Sequence, residues 1–410
     1  MSILFYMGKN VVIMGAGIQG VCCALSLSNL GFNVTILDKS PEPLLRASLR
    51  NEGKIHLGFI YANDKSFRTA SLMLKSALNF SPLIEDFLQT TIDWKPLRSR
   101  RFNYLILRDT MLSEKEITNH YCYLQEEYER IREPGMHYLG TRPDHLWTDS
   151  NLHVAALNHD IVQRCIPTAE LAINLPLFRE VLLTELNKRN NIKFLGDHCI
   201  KEIQKKSWGY QVTGTKYGNR EWKIDSEKVV NCLWENRLYF DKQLGIDPAR
   251  KWVYRLKHRI LGIPSPAIAS LDSFTCVLGA FGDLVNYDNN YTYLSWYPEC
   301  MTGWSSDITT PESWEAACDG KIPGTANQDW VPKAIAGLDN IIPGLKALDV
   351  KEIDGGIIFS WGKTDIDDVN SELHKRFDIG IHEADGYFSI DTGKFTSAPY
   401  FANKLQKLFV

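Results

Sequence analysis

The stretch VVIMGAGIQGVCCALSLSNLGFNVTILDKS, residues 11–40, has the order strand, glycine turn, helix, strand. Its first four residues form an apolar run typical of a parallel strand covered on both faces. Gly15 permits a sharp turn, Gly17 leaves room for a pyrophosphate, and Gly20 lets the helix pack closely against the sheet. Because the N-terminus of that helix offers free N–H groups to phosphates, the stretch predicts a dinucleotide-binding unit.

An acidic residue, Asp38, follows the second apolar strand, 18 residues after Gly20. Its carboxylate can accept hydrogen bonds from a ribose diol, as in other dinucleotide-binding proteins. This acid suits NAD as well as FAD, so the motif by itself leaves the cofactor open. The weaker alternative is a glycine-rich turn that binds no nucleotide, which fits less well with the place of the motif between two strands.

The composition indicates which classes of partner and which cellular compartment to expect. The chain has 410 residues, enough for two domains, and its net charge of −3 gives no reason to expect nucleic acid as a partner. No apolar run reaches the roughly 20 residues of a membrane-spanning helix. Nine cysteines without a CxxC pair or metal-like spacing predict reduced thiols, a cytoplasmic location and no metal site. The oligomeric state stays open.

Two further stretches, taken with the opening motif, resemble a known family. ASLRNEGKIHLGFIYA, residues 47–62, follows the second strand after a short loop, and DGYFSIDTGKFTSAPYFANKL, residues 385–405, reads as a strand, a Gly-Lys turn and a helix start. Together they resemble the flavoproteins of the D-amino-acid oxidase superfamily. That group includes sarcosine and glycine oxidases, glycerol-3-phosphate dehydrogenase and 2-hydroxyglutarate dehydrogenase. The resemblance covers the cofactor half and hardly extends to residues 82–160 and 246–350.

The resemblance implies FAD as the cofactor and assigns residues to it. NEGKIHLGFIY is similar to stretches of the 2-hydroxyglutarate and glycerol phosphate enzymes that lie along the flavin ring, which implicates Asn51, Gly53 and His56. SIDTGKFTSAP resembles their Gly-Gly-Lys-x-Thr-Thr turn, whose N–H groups meet the pyrimidine carbonyl of the flavin. A helix N-terminus there stabilises negative charge on the reduced ring. The implied FAD contacts are Gly15, Gly17, Gly20, Asp38, Lys39, Ser48, Asn51, Gly53, Lys54, Gly393, Lys394, Phe395 and Thr396.

Three departures from the family pattern bear on the substrate and on the cofactor grip. The acid after the second strand is Asp38, where FAD-binding members usually have Glu. The Ala-x-Gly after the third cofactor strand is replaced by residues 232–234, Cys-Leu-Trp. The Gly-Leu-Arg whose arginine grips the anionic substrate of glycerol phosphate enzymes lines up with residues 356–358, Gly-Ile-Ile, so that arginine is absent. This argues against glycerol phosphate as the substrate.

Nucleotide-binding signals lie at both ends of the chain, with a β-rich block between them. We therefore expect an α/β protein, with a Rossmann-like FAD-binding domain and an inserted, mainly antiparallel α+β substrate domain. The FAD-binding domain is predicted to be discontinuous and to comprise residues 1–81, 160–245 and 350–410. The substrate domain is predicted to comprise residues 82–159 and 246–349. In such folds ligands bind at the carboxyl ends of the parallel strands, where the two domains face each other.

The second part of the insertion carries the clearest pattern of strands. Residues 251–263, 274–287 and 291–298 each predict one long strand. Residues 311–348 predict a helical stretch before the last cofactor-binding segment.

Two residues in the flavin-lining segments are candidates for proton chemistry. His56 is the best candidate base, because an unperturbed imidazole pKa of roughly 6.5 suits proton removal at neutral pH. Its alternative role is to pack against the flavin and to hydrogen-bond a ring carbonyl. Lys394 could polarise a water or an oxygen near the ring, or attract anions derived from O₂. Its alternative is a solvated lysine of the turn.

The inserted strands supply candidates for holding the substrate. In YRLKHRI, residues 255, 257 and 259 place Arg, Lys and Arg on one face of a strand, and Arg259 could bind a substrate carboxylate. The favoured interpretation of this stripe is nevertheless a solvated outer face, because antiparallel sheets commonly wet one side. In YTYLSWYP, Tyr293 shares a face with Tyr291 and Tyr297, either as a lid over the substrate or as part of an aromatic core.

The function predicted from these features is that of an FAD-dependent oxidoreductase acting on a small molecule. It would oxidise a C–N or C–O bond of a substrate that carries a carboxylate, such as an amino acid, a secondary amine or a 2-hydroxy acid. A hydride would move from the substrate to flavin N5. The catalytic candidates are His56, Lys394, Tyr293 and Arg259. The electron acceptor is O₂ or unknown. Two alternatives stay open, an NAD-dependent dehydrogenase and a flavin-binding scaffold without turnover.

Overall fold

The computed structural model describes residues 9–322 and 328–410. Its β-strands are β1 (Asn10–Met14), β2 (Asn33–Leu37), β3 (Lys54–Ile55), β4 (Phe102–Leu107), β5 (Val162–Pro167), β6 (Leu171–Ala172), β7 (Ile192–Leu195), β8 (Cys199–Lys206), β9 (Gly209–Lys216), β10 (Arg220–Ser226), β11 (Lys228–Asn231), β12 (Trp252–Ile263), β13 (Ser273–Cys276), β14 (Gly282–Tyr287), β15 (Tyr291–Trp296), β16 (Met301–Ser305), β17 (Asp349–Trp361), β18 (Gly380–Ala384) and β19 (Tyr387–Asp391). Its α-helices are α1 (Ile18–Asn29), α2 (Arg68–Leu88), α3 (Glu114–Ile131), α4 (Leu175–Asn187), α5 (Arg237–Gln243), α6 (Pro266–Ala269), α7 (Tyr297–Cys300), α8 (Glu315–Cys318), α9 (Trp330–Asp339) and α10 (Ala398–Leu408).

The nucleotide-binding half is built on a six-stranded sheet in the order β18-β19-β11-β1-β2-β7. β1 runs parallel to β2 and β11, and β18 is antiparallel to β19 at one edge. α1 packs against α2 and α10 on one face of this sheet. The strand–turn–helix–strand order predicted for residues 11–40 is therefore confirmed, and so is the mixed α/β class with a Rossmann-like half.

The turn between β1 and α1 needs glycine for steric reasons. Gly15 has a φ of +101°, and a Cβ there would lie 2.7 Å from the carbonyl oxygen of Cys232. A Cβ on Gly20 would lie 1.9 Å from the carbonyl oxygen of Gly15, closer than any real contact. The helix can follow the strand this closely only because both side chains are absent.

The other large sheet has eight strands in the order β16-β12-β15-β14-β13-β4-β5, with β17 also paired to β12. Its pairs are mainly antiparallel, with β13 and β4 parallel, and a separate antiparallel sheet joins β8, β9 and β10. β5 and β17 lie in ranges predicted to belong to the FAD-binding domain but pair within this second sheet. The division into two domains itself stays a prediction.

One prediction of local structure in the insertion was wrong. Residues 274–287 do not form one long strand, because the chain reverses between β13 and β14, which pair with each other antiparallel. Leu278 adopts a φ of +50° in this reversal and Gly279 follows it, which is typical of a tight turn. The helical stretch predicted over residues 311–348 contains, in its described part, α8, α9 and the 3-10 turns Glu312–Trp314 and Leu345–Ala347. Residues 323–327 of that prediction lie outside the described residues.

The two large sheets share one hydrophobic core. Ile13 of β1 and Leu261 of β12 belong to the same cluster of buried side chains, as does Tyr293 of β15. β12 and β15 of the second sheet are therefore held next to the carboxyl ends of β1 and β2. The candidate site lies at this junction.

Candidate active site

A cavity of about 430 Å³ opens at the carboxyl ends of β1 and β2. Its walls come from the β1–α1 turn, the loop of residues 44–56, the turn of residues 392–395, and the facing strands β12 and β15. Both halves of the chain thus contribute to one site. The predicted candidates that line it are Gly15, Gly17, Asp38, Lys39, Ser48, Asn51, Lys54, His56, Arg259, Tyr293, Gly393, Lys394 and Phe395.

The β1–α1 turn leaves an open anion site at the N-terminus of α1. Gly17 is the N-cap residue, makes no side-chain cap bond, and is followed by no acidic residue in the first turn. The Ser48 hydroxyl accepts a hydrogen bond from the Ile18 N–H at 2.8 Å, and the other N–H groups of a first helical turn have no partner within the helix. No carboxylate of the helix occupies the place of a phosphate, so the turn fits a pyrophosphate.

Asp38 holds this turn in shape. Its carboxylate accepts hydrogen bonds from the N–H groups of Ala16 at 2.7 Å and Ser40 at 2.8 Å. Burial raises the pKa of Asp38 above its ordinary value. Its contact with a ribose stays a prediction.

The segment of residues 51–54 is placed beside the cavity by its own hydrogen bonds. Asn51 donates to the carbonyl of Ala47 at 2.8 Å and accepts from the N–H of Gly53 at 2.7 Å. Gly53 has a φ of +67°, and a Cβ there would lie 2.2 Å from the carbonyl oxygen of Ile173. Gly53 is therefore required for close packing, and Asn51 for the shape of the loop.

Two lysines predicted to contact the cofactor have ammonium groups that are paired with acidic side chains. The Lys54 ammonium donates to Asp283 at 2.7 Å and to Thr275, both on strands of the second sheet. The Lys39 ammonium donates to Glu315 of α8 at 2.7 Å. Each lysine lines the cavity while its charge is paired with the insertion.

The turn of residues 392–396 presents a second helix N-terminus to the cavity. Gly393 has a φ of +66°, and Lys394 precedes the 3-10 turn Phe395–Ser397 without a side-chain cap bond. The ring of Phe395 packs on Phe80 with centroids 5.9 Å apart, so its backbone faces the cavity. The Thr396 hydroxyl is fully buried and accepts from the N–H of His56 at 3.0 Å, which joins the two segments predicted to flank a flavin.

His56 lies in the cavity wall between two carboxylates. Its Nε2 is 3.8 Å from Glu52, and its Nδ1 is 3.8 Å from Glu170. Nδ1 is buried and has no hydrogen-bond partner among the described residues. Burial, together with the charges of Lys394 and Lys54, lowers the pKa of His56 well below its usual range. The imidazole is therefore neutral and able to accept a proton.

Two ammonium groups line the cavity without a hydrogen-bond partner in the described part of the chain. Lys257 of β12 lies 4.0 Å from both Glu52 and Asp283, and 4.6 Å from the ring centroid of Tyr297. Lys394 has no ion pair within residues 9–322 and 328–410. Burial and the neighbouring charge of Arg376 lower the pKa of Lys394 to about 7. The Lys394 side chain is half-buried in the cavity wall, so it is not fully solvated.

The favoured interpretation of the basic stripe on β12 was wrong. Arg255, Lys257 and Arg259 are buried, with 1%, 8% and 5% of their surface exposed, so this face of the strand is not solvated. β12 lies inside the second sheet, between β15 and β16 and paired with β17, and Lys257 and Arg259 line the cavity. Arg259 is itself held by both carboxylate oxygens of Asp354, at 2.5 and 2.9 Å. Its charge is therefore already paired.

Tyr293 belongs to the hydrophobic core, which is one of the two roles considered for it, and its role as a lid over the substrate stays a prediction. It is 2% exposed, belongs to the shared core, and also lines the cavity beside Lys257. The ammonium of Lys257 lies 6.0 Å from the centroid of its ring. Burial raises the pKa of the Tyr293 phenol, so it stays protonated at neutral pH.

Three acidic residues of the site were missed by reasoning from the sequence. Glu52, Glu170 and Asp283 surround His56, Lys54 and Lys257, but they come from three distant parts of the chain. Burial alone would raise the pKa of Glu52, whereas Lys257, Lys394 and Lys54 lower it to about 2. The position of Glu52 inside NEGKIH was the available signal, since it stands two residues before Lys54 and four before His56.

The described residues contain neither a metal-binding cluster nor a membrane-spanning helix. No group of three or more metal-binding side chains is found within them. No helix in the part of the chain that the structure covers is long and apolar enough to cross a membrane.

Comparisons with known proteins agree on one family. A family model described as FAD dependent oxidoreductase (DAO) matches residues 10–312. D-amino acid dehydrogenase of Sinorhizobium medicae is 43% identical over 50 residues, and that of Rhodopseudomonas palustris is also 43% identical over 50 residues. These matches span only 12% of this chain and 12% of each relative.

Solved structures share the fold over nearly the whole chain. Glycine oxidase of Geobacillus kaustophilus has a TM-score of 0.67 at 14% identity, covering 97% of this chain and 94% of that one. L-proline dehydrogenase of P. horikoshii has a TM-score of 0.65 at 13% identity, covering 98% and 93%. Glycerol-3-phosphate dehydrogenase of Bacillus halodurans, solved in complex with FAD, has a TM-score of 0.55 at 13% identity, covering 98% and 64%.

Proposed function

The chain belongs to the DAO family of FAD-dependent oxidoreductases, and from this membership we propose that it oxidises the C–N bond of a small amino acid or N-substituted amino acid. The cofactor is accordingly FAD rather than NAD, and the chain is an enzyme rather than a scaffold. The chemistry that FAD supplies when bound is acceptance of a hydride at the ring nitrogen N5.

The observation that carries the proposal is the buried pair Lys257 and Glu52 in the cavity wall beside His56. Their charged ends lie 4.0 Å apart, and Lys257 has no hydrogen-bond partner among the described residues. An ammonium enclosed in this way can bind a carboxylate strongly, because water does not compete for it. Glu52, which stays ionised, can accept a hydrogen bond from a substrate amine. The names of the relatives and neighbours support the same substrate class.

Each remaining residue of the site has a role that its position supports. Tyr293 and Tyr297 enclose the carboxylate site and limit the access of water. Neutral His56 can take a proton from the substrate amine, so that the nitrogen lone pair is free when the neighbouring carbon is oxidised. Arg259 does not bind the substrate in this proposal, because Asp354 occupies it.

The test is anaerobic bleaching of the flavin absorbance in the purified protein. The protein should be yellow, with one FAD per chain, and a panel of D- and L-amino acids, N-methyl amino acids and 2-hydroxy acids should include at least one reductant. The same compounds without the carboxylate should reduce the flavin far more slowly. Reduction by 2-hydroxy acids alone would shift the proposal to C–O oxidation, and a colourless protein stabilised by NAD would contradict it.

A variant separates carboxylate binding from cofactor binding. Lys257→Met should keep FAD but raise the substrate concentration for half-maximal reduction by about 10- to 100-fold, since charge-assisted hydrogen bonds are worth about 1.5–3 kcal/mol. Lys251→Met, at an exposed lysine next to β12, is the control and should change nothing. An unchanged half-saturation in Lys257→Met would remove Lys257 from the site.

A further inference from the structure

A buried carboxyl group, that of Glu170, lies behind the imidazole of His56, on the side away from the cavity. Glu170 precedes β6 and has no exposed surface. One of its oxygens accepts from the N–H of Leu57 at 2.7 Å, and the other accepts from the hydroxyl of Tyr104. The latter oxygen is also the one that lies 3.8 Å from Nδ1 of His56. The carboxyl group is thus fixed against the backbone next to His56 and points at its ring.

Among the described residues, Glu170 forms no salt bridge with a lysine or an arginine. The charge of Lys54 acts on it, but the Lys54 ammonium donates to Asp283 at 2.7 Å and is paired there. Burial raises the pKa of Glu170 to about 7, against the opposing effect of Lys54. The other titratable groups that face Glu170 are neutral phenols or members of this lysine–aspartate pair: Lys54, Tyr61, Tyr104, Tyr121, Tyr138 and Asp283. His56 is therefore the group that can gain a charge of the opposite sign beside it.

The two ring nitrogens of His56 face different surroundings. Nε2 lies 3.8 Å from Glu52, which lines the cavity, whereas Nδ1 lies 3.8 Å from Glu170 and is buried without a hydrogen-bond partner among the described residues. The separation of 3.8 Å between Nδ1 and the Glu170 oxygen exceeds an N–H···O hydrogen bond, which is about 2.9 Å, so a hydrogen bond between them requires the His56 ring to rotate toward the fixed carboxyl group. The backbone of the histidine cannot shift instead, because its N–H is bound to Thr396 and the next N–H to Glu170.

We propose that Glu170 is a positioning residue that keeps the hydrogen of neutral His56 on Nδ1 and so leaves Nε2 free to accept a proton from the substrate. The identity of the proton donor, a substrate amine, rests on the proposed function. Which nitrogen of His56 carries the hydrogen does not depend on it. The proton leaves the substrate nitrogen and binds Nε2, and the resulting imidazolium then donates its Nδ1–H to the Glu170 carboxylate. The lysines around His56 disfavour a positive charge on the imidazole. The negative charge of the Glu170 carboxylate offsets this effect.

The first test reads the state of the ring without any substrate. Nitrogen NMR of the FAD-loaded protein with ¹⁵N-labelled histidine distinguishes the two tautomers, and His56→Ala identifies the signals of His56 among the ten histidines. We expect a protonated Nδ1 and an unprotonated Nε2. A protonated Nε2 in the unaltered protein would overturn the proposal, whether or not any substrate is known and whether or not a variant folds.

The second test changes the carboxyl group alone. Glu170→Gln keeps the size and one oxygen for the Leu57 N–H but presents an amide N–H₂ to Nδ1, so the hydrogen of His56 should move to Nε2. Flavin reduction should then slow by about 10- to 100-fold, the usual effect of removing a carboxylate that orients a histidine, and its pH profile should change. Unchanged NMR signals of His56 in a variant that retains FAD would contradict the assignment.

A matched control lies elsewhere in the same chain. Glu85 also accepts from an aromatic side chain, Trp94 at 2.7 Å, and lies 3.2 Å from a histidine, His137. Glu85→Gln repeats the same chemical change away from the cavity. It should leave the NMR signals of His56 and the rate of reduction as they are. An equal loss of rate in both variants, with His56 signals unmoved, would assign a structural role to Glu170.

Discussion

Two lysines that line the same cavity differ in how their charge is compensated. Lys257 lies 4.0 Å from the carboxylates of both Glu52 and Asp283, whereas Lys394 forms no ion pair among the described residues and is affected by the charges of both Arg376 and Glu52. Burial and the charge of Arg376 lower the pKa of Lys394 to about 7. Lys394 is therefore a group of the site whose charge changes near neutral pH, as is the carboxyl group of Glu170 behind His56.

Stability of the apoprotein should report this shift. The pKa of Lys394 is lowered from 10.5 to about 7 on folding, so the unfolded chain binds more protons between these values. Folding is thus penalised below pH 7, and the penalty fades as the pH rises toward 10.5. Lys394→Met should raise the free energy of unfolding in urea by a few kcal/mol at pH 6, at about 1.4 kcal/mol per pKa unit, and by little at pH 10. The exposed Lys407→Met is the control, and an equal gain at both pH values would contradict the shift.

Replacing the candidate base should affect the rate of reduction more than cofactor binding. His56→Ala should keep FAD and slow anaerobic flavin reduction by roughly 10²–10⁴-fold, the usual effect of removing a positioned base. In the unaltered protein the rate should fall as the pH drops through the lowered pKa of His56, because the imidazole becomes protonated; the variant should lack that fall. Loss of FAD with a near-normal rate after reconstitution would show instead that His56 only packs against the flavin.

The residues near the flavin-binding motifs could be predicted from the sequence, and their electrostatic partners could not. His56 and Lys394 stand within short motifs, so a resemblance of a few residues located them. The burial of Arg259 and its pairing with Asp354, which is 95 residues away, depend on which face of β12 the fold covers. Period-two alternation separates the two faces of a strand but does not say which one is buried when both carry polar residues.

In the element formed by β1, its turn and α1, glycine occupies two positions for two different reasons, packing of the helix on the strand and room for a ligand. Gly20 serves the packing of helix on strand, since a Cβ there would lie 1.9 Å from the Gly15 carbonyl oxygen. At Gly17 a Cβ would meet only the Ser48 hydroxyl, at 3.2 Å, so packing does not require glycine there and its role in binding the ligand stays a prediction. The same motif spacing therefore contains one structural position and one predicted binding position.

Substitutions at the two glycines should have different consequences. Gly20→Ala should push α1 away from β1, lower the free energy of unfolding by about 1–3 kcal/mol, as overpacking does, and abolish FAD retention. Gly17→Val should abolish FAD retention while the unfolding of the apoprotein changes little. Urea unfolding of the apoproteins, combined with FAD titration by fluorescence quenching, measures both effects. Retention of FAD by Gly17→Val with unchanged affinity would refute the role given to the turn.

Across the whole molecule, the insertion is fastened to the nucleotide-binding half by a cluster of charges beside the cavity. We call this cluster, Lys39, Arg46, Glu235, Glu315 and Asp319, the clasp. Arg46 binds Glu235 at 3.1 Å, Glu315 at 3.0 Å and Asp319 at 2.5 Å, and Lys39 binds Glu315 at 2.7 Å. Lys39, Arg46 and Glu235 also line the cavity, so α8 is held across residues that surround the cofactor site.

The clasp should control how fast FAD leaves the protein. The side chains of Glu315 and Asp319 are 36% and 34% exposed, so salt should screen their pairs with Arg46 and Lys39. The rate of FAD dissociation should rise between 0.05 and about 1 M salt, where the screening length falls to about 3 Å. Glu315→Gln combined with Asp319→Asn should release FAD about 2- to 10-fold faster at low salt, since exposed pairs are worth up to about 1 kcal/mol each, and should respond less to salt.

The control for the clasp is a pair of similar geometry that touches no part of the cavity. Glu185 and Lys188 on α4 and its C-terminal end lie 2.7 Å apart at the surface, and Glu185→Gln should leave both the rate of FAD release and its salt dependence unchanged. If FAD release from the clasp variant depends on salt as it does in the unaltered protein, the salt effect arises from other charges near the cofactor site. In that case α8 has no part in retaining FAD. If the variant releases FAD faster and salt no longer increases the rate, the ion pairs between α8 and the nucleotide-binding half control how long FAD stays bound.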